Sequence, residues 1–496
     1  MKGWDPPPEG DAVPSQNLLV IMSDEHNPKV TGYEGHPVAE TPNLDRLAAR
    51  GTRFDAAYTT SPVCIPARAG FACGKYIHQI GFWDNADAYD GTVKSWHHEL
   101  RARGHRVVSI GKLHFRLPGE DHGFSEEQIP MHIIEGKGDL MGLVRDDLPR
   151  RGGAKKMAAM AGPGESPYTF YDKEICSRAQ VWLREEGPKD DGKPWVLFVS
   201  FVAPHFPLTA PPEHFYRFWN RDLGIPKLYA REERPHHPYV EDYRNSFCYD
   251  DYFDSPEQVK RALAGYLGLV RYVDENIGKV LAALEEAGLM ANTRVMYTSD
   301  HGDNLGSRGL WGKSTMYEEI ARVPLIIAGP GIPEGKRVAT PVSHVDAYPF
   351  ILESAGVPFA SAKDTHPGHD LAKIATGFEP DRTVLSEYHG MGSTTGAFMI
   401  RVGRYKYVHY AKYPAQLFDL ASDPEETKDL APDPSHARIV AECKAKLLAI
   451  CDPQEVDRRA KARQAELLAA NGGREAVIAR GDLGFTPAPG FAADFQ

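Results

Sequence analysis

The sequence predicts an α/β fold in which a mostly parallel sheet is sandwiched by helices. Three observations support this prediction: continuous apolar runs, helix-like apolar spacing between them, and polar residues where the runs end. An apolar run without alternation is typical of a strand that is buried on both faces of a parallel sheet. We therefore expect a ligand site at the carboxyl ends of the strands, where open α/β sheets bind ligands.

The predicted core strands are the apolar segments at 17–22, 106–111, 195–201, 294–299 and 323–327. A helix is predicted at 41–47, with Thr41 as its N-cap and Pro42 as its first residue. A longer helix is predicted over 258–287, where apolar residues recur at helical spacing. We assign 17–375 to one catalytic domain and 1–16, which is rich in Pro and Gly, to an N-terminal arm.

After about residue 376 the pattern changes to short strands, at 383–387, 397–401 and 405–410, followed by a helix at 435–450. These elements predict a smaller C-terminal α+β subdomain with an antiparallel sheet over 376–451. For residues 452–496 the sequence predicts a charged helix and a tail with little core of its own. Such a tail is either disordered or packed on another subunit. Three phenylalanines in it favour packing, so we expect a homodimer or homotetramer.

The composition excludes several classes of protein. A chain of 496 residues with 42% hydrophobic and 25% charged residues is typical of a globular protein with more than one domain. The net charge of −11 argues against a nucleic-acid partner, which needs a basic surface. No segment has the apolar length of a membrane span or of a signal peptide. Six cysteines in so long a chain do not suggest a disulfide scaffold, so we expect a reducing, cytoplasmic location.

One short motif carries most of the functional information. Cys64-Ile65-Pro66-Ala67-Arg68 has Pro at +2 and Arg at +4 from the cysteine, a spacing that alone would recur by chance. It is accompanied, mostly at the ends of predicted strands, by Asp24, Lys112, His114, His205, Asp300, His301 and Lys313. Together these residues resemble the sulfatase branch of the alkaline phosphatase superfamily, from about residue 17 to about residue 432. The resemblance implies an alkaline-phosphatase-like fold.

The resemblance implies that Cys64 is oxidised to formylglycine by a formylglycine-generating enzyme, a partner during maturation. The hydrated aldehyde offers one hydroxyl for attack on sulfur and a second that expels sulfate afterwards. Pro66 and Arg68 resemble the recognition elements for the maturing enzyme, whereas Ala67 departs from the commoner Ser. Arg68 would then hydrogen-bond the diol, for which its fixed charge is suited.

Asp24, Asp300 and His301 resemble the metal ligands of the family, and the modified Cys64 belongs to the same ligand set. One divalent ion is implied. Carboxylate ligands favour Ca²⁺, while the nitrogen of His301 makes Mn²⁺ the second choice. Glu25 stands where the family more often has Asp or Gln, and its role as a ligand stays open. Asp300 is also a candidate base for the attacking hydroxyl.

Five further positions resemble groups that contact or protonate the ester in the family. Lys112 and His114 should share one side of an extended segment; the matching lysine contacts sulfate, and the matching histidine takes a proton when sulfate leaves. His205 and Lys313 resemble the pair that stabilises and protonates the leaving group. Asn85 resembles a donor to a sulfate oxygen, although a simple turn residue explains it equally well.

These residues predict a sulfatase that hydrolyses an aryl or small alkyl sulfate monoester through a covalent sulfo-enzyme intermediate. One alternative is a phosphonate monoester or phosphodiester hydrolase with the same nucleophile. Related phosphonate hydrolases tend to have Tyr and Thr at positions 112 and 114, which favours sulfate here. Another is a catalytically silent metal- or anion-binding protein in which Cys64 is never oxidised. The aromatic and acidic segment 229–253 either lines a pocket for an aryl ring or a cation such as choline, or is an ordinary packed insert.

Overall fold

The computed structural model describes residues 15–189, 191–359, 366–379 and 382–495. The N-terminal arm predicted over 1–16 therefore lies, apart from its last two residues, outside the described residues. Within these ranges no helix combines the length and the apolar character that crossing a bilayer requires.

The strands define two main sheets and two small ones. In chain order they are β1 (Asn17–Asp24), β2 (Gly51–Phe54), β3 (Ala57–Tyr58), β4 (Val107–Lys112), β5 (Glu126–Met131), β6 (Gly162–Pro163), β7 (Val196–Pro204), β8 (Thr209–Ala210), β9 (Thr293–Ser299), β10 (Leu325–Ala328), β11 (Lys336–Val338), β12 (Val342–Ser343), β13 (Val384–Tyr388), β14 (Ala397–Val402), β15 (Tyr405–Tyr410) and β16 (Gln416–Asp419).

The α-helices fill the intervals between the strands and much of the C-terminal region. They are α1 (Pro42–Ala49), α2 (Cys64–Cys73), α3 (Ile77–Ile80), α4 (Trp96–Ala102), α5 (Gly153–Ala159), α6 (Pro167–Glu185), α7 (Pro212–Trp219), α8 (Pro238–Phe247), α9 (Pro256–Glu286), α10 (Glu318–Ala321), α11 (Ala347–Ser354), α12 (Leu371–Thr376), α13 (Ala437–Leu448), α14 (Pro453–Ala470) and α15 (Gly473–Arg480).

The large sheet has eight strands in the order β11-β2-β10-β9-β1-β7-β4-β5. Strand β1 lies near its centre and runs parallel to both β7 and β9. Strand β10 is antiparallel to its neighbours β2 and β9, whereas the other pairs are parallel. The predicted mostly parallel sheet is therefore confirmed.

The residues of β1 pack alternately into two apolar cores. Leu19 and Ile21 join the core that contains α6 and α9, while Leu18 and Val20 join the core that contains α2 and α11. Both faces of the sheet are thus covered by helices, which explains the continuous apolar run. Burial of each such side chain contributes about 1.5–3 kcal/mol.

The start of α1 differs from the prediction in one respect. Thr41 makes no side-chain cap to the helix; its hydroxyl accepts from the backbone N–H of Gly32 and donates to Asp45. The first turn is instead capped by Asp274 of α9, which accepts from the backbone N–H of Leu44 at 2.9 Å. A cap that comes from a distant helix has no local sequence signal.

The C-terminal sheet, in the order β13-β14-β15-β16, is fully antiparallel. On one face, Phe398 and Ile400 pack with Leu447 of α13 and Val456 of α14. On the other face, Met399 joins the core of the large sheet. The predicted antiparallel subdomain is therefore bound to the main unit by a shared apolar core.

The tail was predicted to be disordered or packed on another subunit, but residues 453–495 fold back on the same chain. Gln464 of α14 donates to Asp84 at 2.6 Å. Beyond α15, the ring of Phe485 meets the rings of Tyr168 and Phe206 edge to face, with centroids 5.5 and 5.6 Å away. The tail thus completes a cavity of its own chain, and the oligomeric state stays a prediction.

Candidate active site

Four neighbouring strands bring charged residues to one rim of the large sheet. Asp24 is the last residue of β1 and Lys112 the last residue of β4, while His205 and Asp300 directly follow β7 and β9. These strands are parallel and adjacent, so their carboxyl ends meet. The residues that the sequence singled out at separate places are therefore neighbours in space.

Cys64 begins α2 at this rim. Its Sγ lies 3.8 Å from Lys313 Nζ and 3.6 Å from Asn85 Nδ2, so Asn85 contacts the proposed nucleophile. The cysteine is buried, and burial raises the pKa of its thiol, although Lys313 opposes the shift. The unmodified thiol is therefore protonated near neutral pH and is a poor nucleophile.

Arg68 lies one helical turn after Cys64 and joins two carboxylates. Its Nε donates to Asp300 Oδ2 at 2.8 Å and its Nη2 to Asp24 Oδ2 at 3.1 Å. Its Nη1 donates to the carbonyl of Lys112 and the hydroxyl of Ser200. The sequence predicted a contact with the diol of residue 64, whereas the structure adds a positioning role that holds both carboxylates.

Asp24, Asp300 and His301 offer ligand atoms that lie within 4.8 Å of one another. His301 Nδ1 is 2.9 Å from the carbonyl of Gly302 and donates to it, which leaves a lone pair on Nε2. Asp24 Oδ1 and His301 Nε2 are buried and have no hydrogen-bond partner among the described residues. Two orphaned acceptors that face each other at 4.0 Å fit a divalent cation.

The charge of Asp24 is fixed by its surroundings. Burial alone would raise its pKa, but the positive charges around it, chiefly those of Lys112 and Arg68, outweigh burial and hold the pKa well below its usual range. Lys112 Nζ lies 2.7 Å from Asp24 Oδ2 and is itself fully buried. Asp24 is therefore ionised, as a metal ligand must be.

The side chain of Glu25 turns towards a different pair of residues. Its Oε2 lies 3.2 Å from both Lys313 Nζ and His205 Nε2. Among the described residues it does not belong to the ligand group that contains His301. Burial raises the pKa of Glu25 to about 8, although Lys313 opposes the shift. Glu25 also forms a second group of possible ligands, with Asp24 and His205, whose ligand atoms lie within 4.8 Å of one another, so its role as a metal ligand stays open.

Lys313 and His205 form a hydrogen-bonded pair. Their Nζ and Nε2 atoms are 2.7 Å apart, and His205 Nδ1 lies 2.5 Å from the carbonyl of Phe206. Nδ1 therefore donates and Nε2 accepts from the lysine. Burial, followed by the charge of Lys313, lowers the pKa of His205 well below its usual value. The pair consists of a neutral imidazole that orients an ammonium group.

The imidazole ring of His114 lines the cavity. It lies beyond the end of β4 with φ of 57°, so the expected alternation with Lys112 does not apply. Both ring nitrogens are buried and lack a partner among the described residues. Burial, with help from Lys112 and Arg68, lowers the pKa of His114. A neutral imidazole that faces the cavity can accept a proton.

The wall of the cavity includes two segments that are distant from each other in the sequence. Tyr243, Phe247 and Tyr249 come from the segment 229–253 and line the cavity, as one interpretation of that segment predicted. The tail contributes residues 482–486 to the wall, which the sequence did not lead us to expect. The available signal was Phe485 in a segment without a core of its own.

A second missed feature of the wall is a buried ion triad. Arg151 Nη2 lies 2.8 Å from Asp139 Oδ2 and 2.8 Å from Asp482 Oδ1. Asp482 Oδ2 also accepts from the backbone N–H of Gly153 at 3.0 Å. All four residues line the cavity, so the triad ties the tail to the opening of the site.

Comparisons with known proteins agree with this geometry. A family model described as Sulfatase matches residues 16–357, and one described as N-sulphoglucosamine sulphohydrolase, C-terminal, matches residues 306–452. A choline-sulfatase of Rhizobium meliloti is 33% identical over 430 residues, which is 84% of this chain and 83% of that protein. An arylsulfatase K of Bos taurus is 30% identical over 83% of this chain and 77% of its own length. A putative sulfatase structure from Bacteroides thetaiotaomicron superposes with a TM-score of 0.72 at 25% identity and covers 90% of this chain and 94% of that one.

Proposed function

The chain belongs to the sulfatase family and is a sulfuric ester hydrolase, and from that premise we propose that it hydrolyses an aryl or small alkyl sulfate monoester. We propose that its nucleophile is formylglycine made from Cys64. The observation that supports this most directly is the position of Cys64, at the base of the cavity and 3.8 Å from the Lys313 ammonium group.

The charge distribution supports an anionic substrate. Although the chain has a net charge of −11, Arg68, Lys112 and Lys313 concentrate positive charge around Cys64. Lys112 and Arg68 already compensate Asp24, and a metal ion would add the charge that sulfate needs. Local charge rather than net charge decides which ligand the cavity accepts.

Two groups that the family implies fit the residues present. The hydrated aldehyde of formylglycine would supply the attacking hydroxyl and the second hydroxyl through which sulfate leaves. A divalent ion held by Asp24, Asp300 and His301 would neutralise the sulfate oxygens. We propose Ca²⁺ for this site because two of its ligands are carboxylates, with Mn²⁺ as the second choice. We propose that residue 64, in its modified form, would be a further ligand of this ion.

The remaining steps belong to the chain's own side chains. Lys313 donates a proton to the bridging ester oxygen, and His205 holds the ammonium in place through its Nε2. His114, whose neutral ring makes no hydrogen bond to the described residues, accepts the proton of the second hydroxyl. Asn85 donates towards the nucleophile and the sulfate beside it.

Asp300 is better suited to hold the metal than to act as a base. Its carboxylate accepts from the backbone N–H groups of Glu25 and His301 and from Arg68 Nε. Two of these donors reach Oδ1 and one reaches Oδ2, so few lone pairs of the carboxylate are left for a further contact. We therefore propose that Asp300 would hold the metal ion and is not the base for the attacking hydroxyl.

The decisive experiment compares kcat/KM for an aryl sulfate and a matched aryl phosphonate monoester on one metal-replete preparation. We expect sulfate to be preferred, because Lys112 and His114 occupy the discriminating positions. A preference for phosphonate would support the alternative hydrolase with the same nucleophile. Mass spectrometry of the Cys64 peptide tests the silent binding protein: complete retention of thiol, in material from a host with the maturing enzyme, would contradict a formylglycine sulfatase.

A second comparison, between two sulfate esters, tests which alcohol the enzyme releases. One relative is named a choline-sulfatase, and the wall of this cavity combines Tyr243, Phe247 and Phe485 with the acidic group of Asp482. Aromatic faces and a carboxylate attract a quaternary ammonium, but Arg151 already neutralises Asp482. We therefore expect an aryl sulfate to be hydrolysed more efficiently than choline sulfate, and a steady-state comparison of the two esters checks this.

A further inference from the structure

A second group of metal-ligating side chains lies at the edge of the large sheet. His122, between β4 and the edge strand β5, faces Glu127 in β5 and His132 directly after it. One ligand atom of each residue lies within 4.8 Å of the others. His122 Nδ1 is 3.0 Å from Glu127 Oε1, and His132 Nε2 is 3.7 Å from Glu127 Oε2. Ligand atoms around a tetrahedral zinc ion are about 3.3 Å apart, so small side-chain rotations would close the group on an ion.

The unsatisfied nitrogens of this group indicate an absent partner. His122 Nε2 and both ring nitrogens of His132 are buried and have no hydrogen-bond partner among the described residues. The two side chains are only 0% and 7% exposed. Leaving one buried polar atom unpaired costs about 1–3 kcal/mol. Coordination of an ion by one ring nitrogen of His132 would remove part of this cost, while His122 would bind through Nδ1, which is hydrogen-bonded to Glu127.

Glu120 lies on the side of His122 from which a metal-binding histidine usually receives an outer contact. A ligating imidazole commonly donates its other N–H to a carboxylate, which fixes the ring. His122 Nε2 lies 3.7 Å from Glu120 Oε2, on the opposite side of the ring from Glu127. Glu120 is held in place by Arg116, whose Nε donates to it at 2.8 Å.

An irregularity in β5 explains how the two strand residues converge. Glu127 and His132 are five positions apart, so a regular strand would point them to opposite faces. The pairing with β4 shifts between Ile110 and Lys112, which adds one residue on β5. Ile129, within that stretch, has φ of 44°, a rare conformation for a β-branched residue. The extra residue places both side chains on one side.

We propose that His122, Glu127 and His132 bind a divalent transition-metal ion, for which Zn²⁺ is the best match. Two imidazoles and one carboxylate favour zinc over calcium, unlike the carboxylate-rich group at the active site. None of these three residues is among those that line the active-site cavity. The site is therefore separate from the sulfate-binding site.

The ion would fasten the segment that carries His114. The backbone N–H of His114 donates to Met131 at 2.7 Å, and that of Ile133 donates to Phe115 at 2.9 Å. The loop after His114 returns to β5 through His122. An ion shared by the loop and the edge strand would therefore hold both ends of this segment.

Measurement of bound zinc tests the proposal. Full-length protein is stripped with a chelator, exposed to zinc chloride, washed, and analysed by atomic emission. We expect Glu127→Gln and His132→Ala each to carry about one zinc ion per chain fewer than the wild type. The matched control His236→Ala removes a histidine whose side chain is 81% exposed and should carry as much zinc as the wild type. Equal zinc content in all four proteins would overturn the proposal.

Two measurements separate this site from the active-site metal. The Asp300→Asn variant lacks a proposed ligand of the active-site metal and should still bind zinc at the second site. Adding Glu127→Gln to that variant should abolish this binding. Anomalous diffraction at the zinc edge from wild-type crystals should show density between His122, Glu127 and His132. Absence of that density overturns the proposal even if the variants fail to fold.

Discussion

The base and the wall of the active-site cavity differ in how their residues reach the site. The base comprises Asp24, Cys64, Arg68, Lys112, Asp300 and His301, which stand at strand ends, directly after one, or in the first turns of α2. The wall comprises Tyr243, Phe247, Asp482 and Phe485, which come from α8 and the C-terminal tail.

We infer from this difference that the base carries out the reaction and that the wall selects the substrate. The base is rigidly attached to the central sheet, whose two apolar cores would have to shift before its charged atoms moved. The tail part of the wall is attached through an ion triad and a few aromatic contacts, whereas Tyr243 and Phe247 belong to the same apolar core as the sheet. Substitutions in the base should therefore lower kcat, while substitutions in the wall should change KM and substrate choice.

The largest expected effect belongs to Cys64. Cys64→Ala removes the precursor of the nucleophile and should lower the rate of sulfate release by at least about 10⁴-fold. Cys73→Ala, at the other end of the same helix, is the matched control and should retain the wild-type rate. Release of sulfate is measured by ion chromatography. Comparable rates in Cys64→Ala and the wild type would show that residue 64 is not the nucleophile.

Lys313→Ala should have the next largest effect. Loss of the ammonium that faces the ester oxygen should lower kcat by about 10²–10³-fold. The loss should be greater for an alkyl sulfate than for an aryl sulfate with an acidic phenol, because only the poor leaving group needs a proton. Steady-state rates for both esters check this. An equal loss for the two would mean that Lys313 holds sulfate and does not protonate the leaving group.

His114→Ala should lower kcat by about 10²-fold and change its pH profile. The pKa of His114 is lowered, so its neutral, proton-accepting form persists below the ordinary value of about 6.5. In the wild type, kcat should therefore stay level through neutral pH and fall only at more acidic pH. That acid limb should disappear in the variant. A wild-type profile that falls between neutral and about pH 6.5 would contradict the assignment.

The smallest effect is expected at the wall. Phe485→Ala removes a ring that packs on Tyr168 and Phe206, and it should raise KM by about 10-fold, or about 1.4 kcal/mol, with kcat little changed. Phe491→Ala is the control, because that ring is half exposed and does not line the cavity. A loss in kcat without a change in KM would show that the tail belongs to the chemistry and would remove the distinction between base and wall.

Sequence patterns indicated which residues lie together in the base, because each of them follows a recognisable local signal, while their roles stay predictions. A buried strand ends in Asp24, another in Lys112, and Asp300 and His301 follow a third. The geometry within the base was less predictable. Arg68 joins two carboxylates, and Glu25 turns towards Lys313, because both side chains respond to charges on other strands.

The sequence by itself determined the fold class, the antiparallel subdomain and the family, because apolar periodicity and short motifs are local properties of the chain. Only the tertiary structure decided the wall. Arg151 and Asp482 are separated by 331 positions, and neither belongs to a motif. The tail folds onto its own chain because Phe485 packs against aromatic rings and Asp482 forms an ion pair with a buried arginine. Contacts of this kind depend on shape and charge that exist only after the sheet and its helices have assembled.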